Sequence, residues 1–215
     1  MSTTVFVVDD DPAVRNGLTS VIEAAGLHVR AFDSAEGFLA EFDPDQAGCI
    51  LLDIRLPHMT GTELHAALIA RGAKQPVIFC TAHGDVPTSV RALRTGAFDF
   101  LEKPVEGALL LERVRAALAT DARRHKADHD RKNLEARLAR LTARERTVME
   151  LVVQGHSSKE IAKTLGISHR TVEVYRSRIM EKLRVPSLLQ LAIFAEACGL
   201  AASLDLLHGT SRSDG

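Results

Sequence analysis

The feature that most constrains this chain is an alternation confined to its first 120 or so residues. Short apolar runs at 5–8, 28–32, 49–52, 77–80 and 98–101 are separated by longer amphipathic stretches. Several of the runs are apolar almost throughout, as expected of strands covered on both faces. The stretches between them carry helix punctuation. Asp11 stands as an N-cap before Pro12 at the first helical position, and Gly26 closes that helix. Further helices are predicted over 34–42 with Ser34 as cap, over 61–70 before Gly72, over 87–95 before Gly96, and from Glu106 onward. Five strand–helix units in succession predict an α/β fold, a doubly wound five-stranded parallel sheet with helices on both faces.

The strands stop near residue 120. The run TDARRHKADHDRKNLEARLAR has no Gly or Pro and places Leu134, Leu138 and Leu141 at helical spacing, which predicts a helical linker over 121–136. Beyond it every signal is helical. Thr142 with Glu145 and Ser157 with Glu160 form capping boxes. Helices are predicted over 143–154, 158–165 and 169–183, with a fourth running to Cys198 after the break at Val185-Pro186-Ser187. The reading therefore gives a first domain at 3–120, a linker, a second all-α domain at 137–200, and a disordered tail at 208–215.

Charge follows the same division. The net charge of -1 hides 10 Lys+Arg against 16 Asp+Glu in residues 1–120 and 17 against 12 in residues 121–215. A polyanionic partner therefore belongs to the second domain. Cys49, Cys80 and Cys198 make no metal-ligand or redox spacing; Cys49 and Cys80 open and close apolar runs and read as small core residues, which points to a reducing compartment. With no signal-peptide pattern and no apolar run near ~18 residues, a cytoplasmic protein without membrane contact is expected.

In an open α/β sheet, chemistry sits outside the carboxyl ends of the strands. Those ends carry Asp9-Asp10-Asp11 after strand 1, Asp53 after strand 3, Thr81 after strand 4 and Lys103-Pro104 after strand 5. Converging carboxylates repel unless a cation lies among them, and hard oxygen ligands suit Mg²⁺. An Asp carboxylate beside such a cation can take a phosphoryl group, while a hydroxyl and an ammonium bind its oxygens. A phosphatase built on the same chemistry would want a second acid two residues after the nucleophile. Arg55 stands there instead, so substrate turnover is not expected and the chain does not read as an enzyme.

The segments VVDDDPAVR, LLDIRLPHMTG, FCTAHGD and GAFDFLEKP resemble the receiver domain of two-component response regulators, whose fold is flavodoxin- or CheY-like. The resemblance implies that Asp53 is the phosphoacceptor and a sensor histidine kinase the donor. Asp9, Asp10, Asp53 and the Arg55 backbone carbonyl would hold Mg²⁺, for which Mn²⁺ could substitute, and Asp11 would be a helix cap or an outer charge. Thr81 and Lys103 would sense the phosphoryl group, Lys103–Pro104 would be a cis peptide, and Phe100 would occupy the aromatic switch position where other members carry Tyr. Phosphorylation is expected to act through helix 87–95, with Val90, Arg91 and Arg94 forming the interface of a homodimer.

In the second domain, Gly166-Ile167-Ser168 makes the short turn of a helix-turn-helix. In the helix that follows, Val172, Ile179 and Leu183 should face inward with Met180 beside them, and Ser168 should cap it. Arg170, Glu173, Val174, Ser177 and Arg178 face outward. The string LTARERTVMELVVQGHSSKEIAKTLGISHRTVEVYRSRIMEKL resembles the LuxR-type DNA-binding domain, and the whole chain resembles FixJ-like response regulators. The resemblance implies backbone contacts from Lys159, Arg170, Thr171, Arg176, Arg178 and Lys182 and groove contacts from Glu173, Val174 and Ser177; Tyr175 stands where many members have His. The partners implied are double-stranded promoter DNA and RNA polymerase, and the expected function is phosphorylation-dependent activation of transcription. A relay whose helices bind protein, and an RNA-binding antiterminator, are the competing readings.

Overall fold

The computed structural model describes residues 3–81 and 96–200, and the chain divides into two compact units, Met1–Lys126 and Ala127–Gly215. The helix expected over 87–95 and the tail at 208–215 lie outside the described residues.

In the first unit the strands are β1 (Thr4–Val8), β2 (His28–Phe32), β3 (Gly48–Asp53), β4 (Val77–Thr81) and β5 (Asp99–Glu102), all parallel in the order β2-β1-β3-β4-β5. Side-chain alternation along each strand sorts the core into two layers. Val5, Val7, Cys49, Leu51, Ile78 and Cys80 face α1 (Pro12–Ala24) and the start of α4 (Gly107–Leu138), packing with Leu18, Ile22, Leu110 and Val114. Phe6, Val8, Ile50, Leu52 and Phe79 face the opposite way and pack with Phe38 of α2 (Ala35–Glu41) and Leu64 and Leu68 of α3 (Gly61–Ala70). The central strands are buried along their whole length because both of these layers cover them. The direction of winding reverses between β1 and β3, which places a crevice at their carboxyl ends.

Two local details differ from the sequence reading. Ser34 occupies the cap position of α2, but its hydroxyl donates to Asp33 Oδ1 and makes no capping bond. Thr60 and Glu63 form a third capping box, at the start of α3. α4 spans Gly107–Leu138 and so includes residues 121–136.

The second unit holds α5 (Ala143–Val153), α6 (Ser158–Leu165), α7 (His169–Leu183) and α8 (Leu188–Ala197). The Thr142–Glu145 and Ser157–Glu160 capping boxes are both formed, and Ser168 Oγ accepts the Thr171 N–H. Gly166, at φ +64°, ends α6 in the left-handed region that favours glycine and turns the chain into α7. Val148, Met149, Ile161, Val172, Ile179, Leu183 and Phe194 make the core, with Leu134, Leu138 and Leu141 packed against it. Among the described residues no helix is long and apolar enough to cross a membrane.

Candidate functional sites

The loop after β1 is built by hydrogen bonds that leave Asp9 and Asp10 at the strand end. Asp11 caps α1, its Oδ1 accepting from Ala13 N at 2.8 Å and Val14 N at 3.4 Å, and so takes the structural one of its two expected roles. Arg15 Nη1 donates to the carbonyl oxygens of Asp9 (2.7 Å) and Asp10 (3.2 Å), a brace that sequence reasoning missed. At the end of β3, α3 begins against the strand itself. A Cβ on Gly61 would stand 2.0 Å from the Asp53 carbonyl oxygen, so only glycine allows this approach.

These elements bring the predicted acidic residues together. One carboxylate oxygen from each of Asp9, Asp10 and Asp53 lies within 4.8 Å of the other two; Asp9 and Asp53 are buried and Asp10 is exposed. Lys103 Nζ reaches Asp9 Oδ2 at 2.5 Å and Asp53 Oδ2 at 3.1 Å. Asp53 Oδ1 is buried with no hydrogen-bond partner among the described residues. Burial pushes the Asp9 carboxyl above the usual carboxylate range, against the pull of Lys103. Burial would depress the Lys103 ammonium, but hydrogen bonds to Asp9 and Asp53 outweigh it and raise its pKa. Three carboxylates against one ammonium, with a buried oxygen left without a partner, fit a hard divalent cation.

Other predicted residues lie on the neighbouring strands and loops of the sheet. Thr81 is buried at the end of β4, and its carbonyl accepts the Lys103 N–H at 2.6 Å. The Lys103–Pro104 peptide is cis, as the resemblance implied. Phe100 is half-buried, pairs in register with Phe79 and packs against the α2–α3 side of the core. Arg55 follows β3 by two residues. Val90, Arg91 and Arg94 lie outside the described residues.

In the second unit, α7 buries Val172, Ile179 and Leu183 as the spacing predicted, with Met180 packed beside them. Arg170, Glu173, Val174, Ser177 and Arg178 are exposed, Val174 by 43% despite being apolar. Lys159 is exposed on α6, and Thr171 is half-exposed. Arg176 and Lys182 turn toward intramolecular partners: Arg176 Nη1 donates to Ser158 Oγ at 2.7 Å, and Lys182 Nζ meets Glu145 Oε2 at 2.6 Å.

A parallel doubly wound domain with an Asp–Asp–Asp–Lys pocket, followed by a helix-turn-helix, defines a class, and comparison with known proteins agrees. Residues 5–115 match the response regulator receiver domain, and residues 139–195 match the bacterial regulatory proteins of the luxR family. The chain belongs to the response regulators that join these two domains, and it is a DNA-binding transcription regulator of two-component systems. It is 45% identical to the transcriptional regulatory protein FixJ of Azorhizobium caulinodans, over 94% of this chain and 95% of that one. It is 43% identical to the transcriptional regulatory protein TdiR of Thauera aromatica, over 98% of this chain and 86% of that one. The solved structure of the response regulator StyR superimposes with a TM-score of 0.87 at 44% identity, covering 91% of this chain and 99% of that one.

Proposed function

We propose that Asp53 accepts a phosphoryl group from a sensor histidine kinase and that this modification licenses dimeric binding to promoter DNA. The observation that carries the reading is the half-engaged Asp53 carboxylate. Its Oδ2 is held by Lys103, while Oδ1 is buried and has no partner among the described residues. An Asp53 oxygen attacks phosphorus, the bond from phosphorus to the donor imidazole nitrogen breaks, and an acyl phosphate remains on Asp53. Asp9, Asp10, Asp53 and the Arg55 carbonyl would hold Mg²⁺, or Mn²⁺ in its place. A bound cation neutralises charge on the phosphoryl oxygens. Lys103 already stands between Asp9 and Asp53 and exchanges a carboxylate for a phosphoryl oxygen without leaving the pocket. The Thr81 hydroxyl and Phe100, on neighbouring strands, register the change, and Val90, Arg91 and Arg94 form the homodimer contact.

Arg170, Arg178, Lys159 and Thr171 meet DNA phosphates, and Glu173, Val174 and Ser177 meet base edges. Nine Lys+Arg against six Asp+Glu in residues 141–199 make one copy a weak, salt-sensitive binder, which pairing on two half-sites remedies. Bound there, the dimer recruits RNA polymerase and activates transcription in the cytoplasm. Selection of duplexes from a random pool, with and without acetyl phosphate, tests this. Wild type should enrich a two-fold-symmetric sequence only when phosphorylated, and Asp53→Ala should enrich none. Equal enrichment by Asp53→Ala contradicts the proposal.

A further inference from the structure

The cations of α7 divide into two sets, and the geometry points to different work for each. With 3.6 residues per turn, Val172, Ile179 and Leu183 mark the midline of the buried stripe. Arg170, Val174 and Ser177 lie roughly 140–160° from that midline, while Arg176 lies only about 40° from it and Lys182 about 80°. Each of the latter two ends on a buried group of a different helix. Ser158, the acceptor for Arg176, is buried in the first turn of α6. Glu145, the acceptor for Lys182, is buried in the first turn of α5, where it also accepts from Thr142 N at 2.8 Å and Thr142 Oγ1 at 2.9 Å.

We infer that Arg176 and Lys182 are positioning residues, which set the pose of the recognition helix on its two scaffold helices through Ser158 and Glu145, and are not phosphate-binding cations. The inference rests on the DNA-binding reading above and deepens it. A phosphate contact and a pose-setting contact have different signatures. Neutralising a phosphate contact weakens all duplexes alike and removes about one from the slope of log affinity against log salt. Loosening the pose leaves that slope intact and degrades base readout, because hydrogen bonds to base edges tolerate little misplacement. Glu145 offers access to the same contact from the other side. A glutamine there keeps an acceptor for Thr142, since Gln also completes a capping box, but removes the charge that holds Lys182.

The test uses the full-length phosphorylated chain, a duplex selected by wild type and a random duplex, from about 50 to 200 mM salt. Arg178→Met should lower the salt slope by about one and leave the ratio of selected to random affinity nearly unchanged. Lys182→Met and Arg176→Met should keep the wild-type slope and lower that ratio roughly tenfold, about one base pair's worth of discrimination. Glu145→Gln should reproduce the Lys182→Met loss, and the double variant should lose no more than either single one. A slope lowered by about one in Lys182→Met, or additive losses in the double variant, would overturn the assignment. If Lys182→Met fails to fold, as read by far-ultraviolet circular dichroism, Glu145→Gln alone decides: an unchanged ratio overturns the inference. Wild type that enriches no sequence and binds no duplex would instead defeat the DNA-binding reading itself.

Discussion

Asp9 is buried beside Asp53 at the carboxyl end of the sheet, and burial holds its carboxyl above the ordinary range near 3.9. With the folded-state value raised, the folded form binds the proton more tightly than the unfolded one. The associated stability is fully present below about pH 3.9 and is lost as pH rises through the folded value. The charged form of Asp9 therefore opposes folding, and either a cation or removal of the charge relieves it. Asp9→Asn should raise the receiver's melting temperature at pH 7 in chelator, and it should abolish the further rise proposed for wild type with Mg²⁺. A lower melting temperature in chelator would contradict this balance. The gathering of Asp9, Asp10, Asp53 and Lys103 was legible in the sequence because each lies at or just after the carboxyl end of a strand and carries its own charge. Arg15 was not, since it acts on the backbone carbonyls of Asp9 and Asp10 and such acceptors leave no mark in the sequence. Gln75 was hidden for the same reason: its amide donates to the carbonyls of Asp43, Pro44 and Gln46 and ties down the turn before β3.

The join of β3 to α3 shows how an element positions the site. Gly61 lets the first turn of α3 press on the Asp53 backbone, and its N–H bonds the Ile54 carbonyl at 2.9 Å. Gly61→Ala forces strand and helix apart. It should cost about 1–3 kcal/mol of receiver stability in urea titration and slow phosphorylation by acetyl phosphate, whereas an unchanged urea midpoint would contradict the contact. The end of α7 offers the opposite case. Arg184 sits at φ +52°, outside the usual range of a side-chain-bearing residue, and glycine is relaxed there. Arg184→Gly should stabilise the DNA-binding unit by about 0.5–1 kcal/mol in the same titration, and a loss of stability would contradict it. The helices of the second unit were readable to within a residue at most ends because Thr142, Ser157 and Ser168 mark their starts and Gly166 marks a stop. The same signal at Thr60 is easily passed over, since Gly61 after it reads as a turn residue. What periodicity could not show is which outward-looking cations are spoken for: Arg176 and Lys182 find their partners on helices 18 and 37 residues away.

At the scale of the molecule, an acidic domain carries the switch and a basic one carries the reader, each with its own core. Coupling between them is proposed to run through dimerisation at Val90, Arg91 and Arg94. Beryllofluoride-treated protein should sediment as a dimer, Asp53→Ala as a monomer, and Arg91→Glu with Arg94→Glu should stay monomeric after treatment; a treated double variant that still dimerises would move the interface elsewhere. The central claim is that occupancy of Asp53 by a phosphoryl group governs DNA binding. Its most direct measurement follows Asp53 phosphorylation by mass spectrometry and affinity for the selected duplex in the same samples, across a titration with acetyl phosphate and Mg²⁺. The two should rise together in wild type, with affinity gaining at least tenfold, and both should stay flat in Asp53→Ala. Affinity that is already maximal without phosphorylation, or that climbs while Asp53 remains unmodified, would contradict the account.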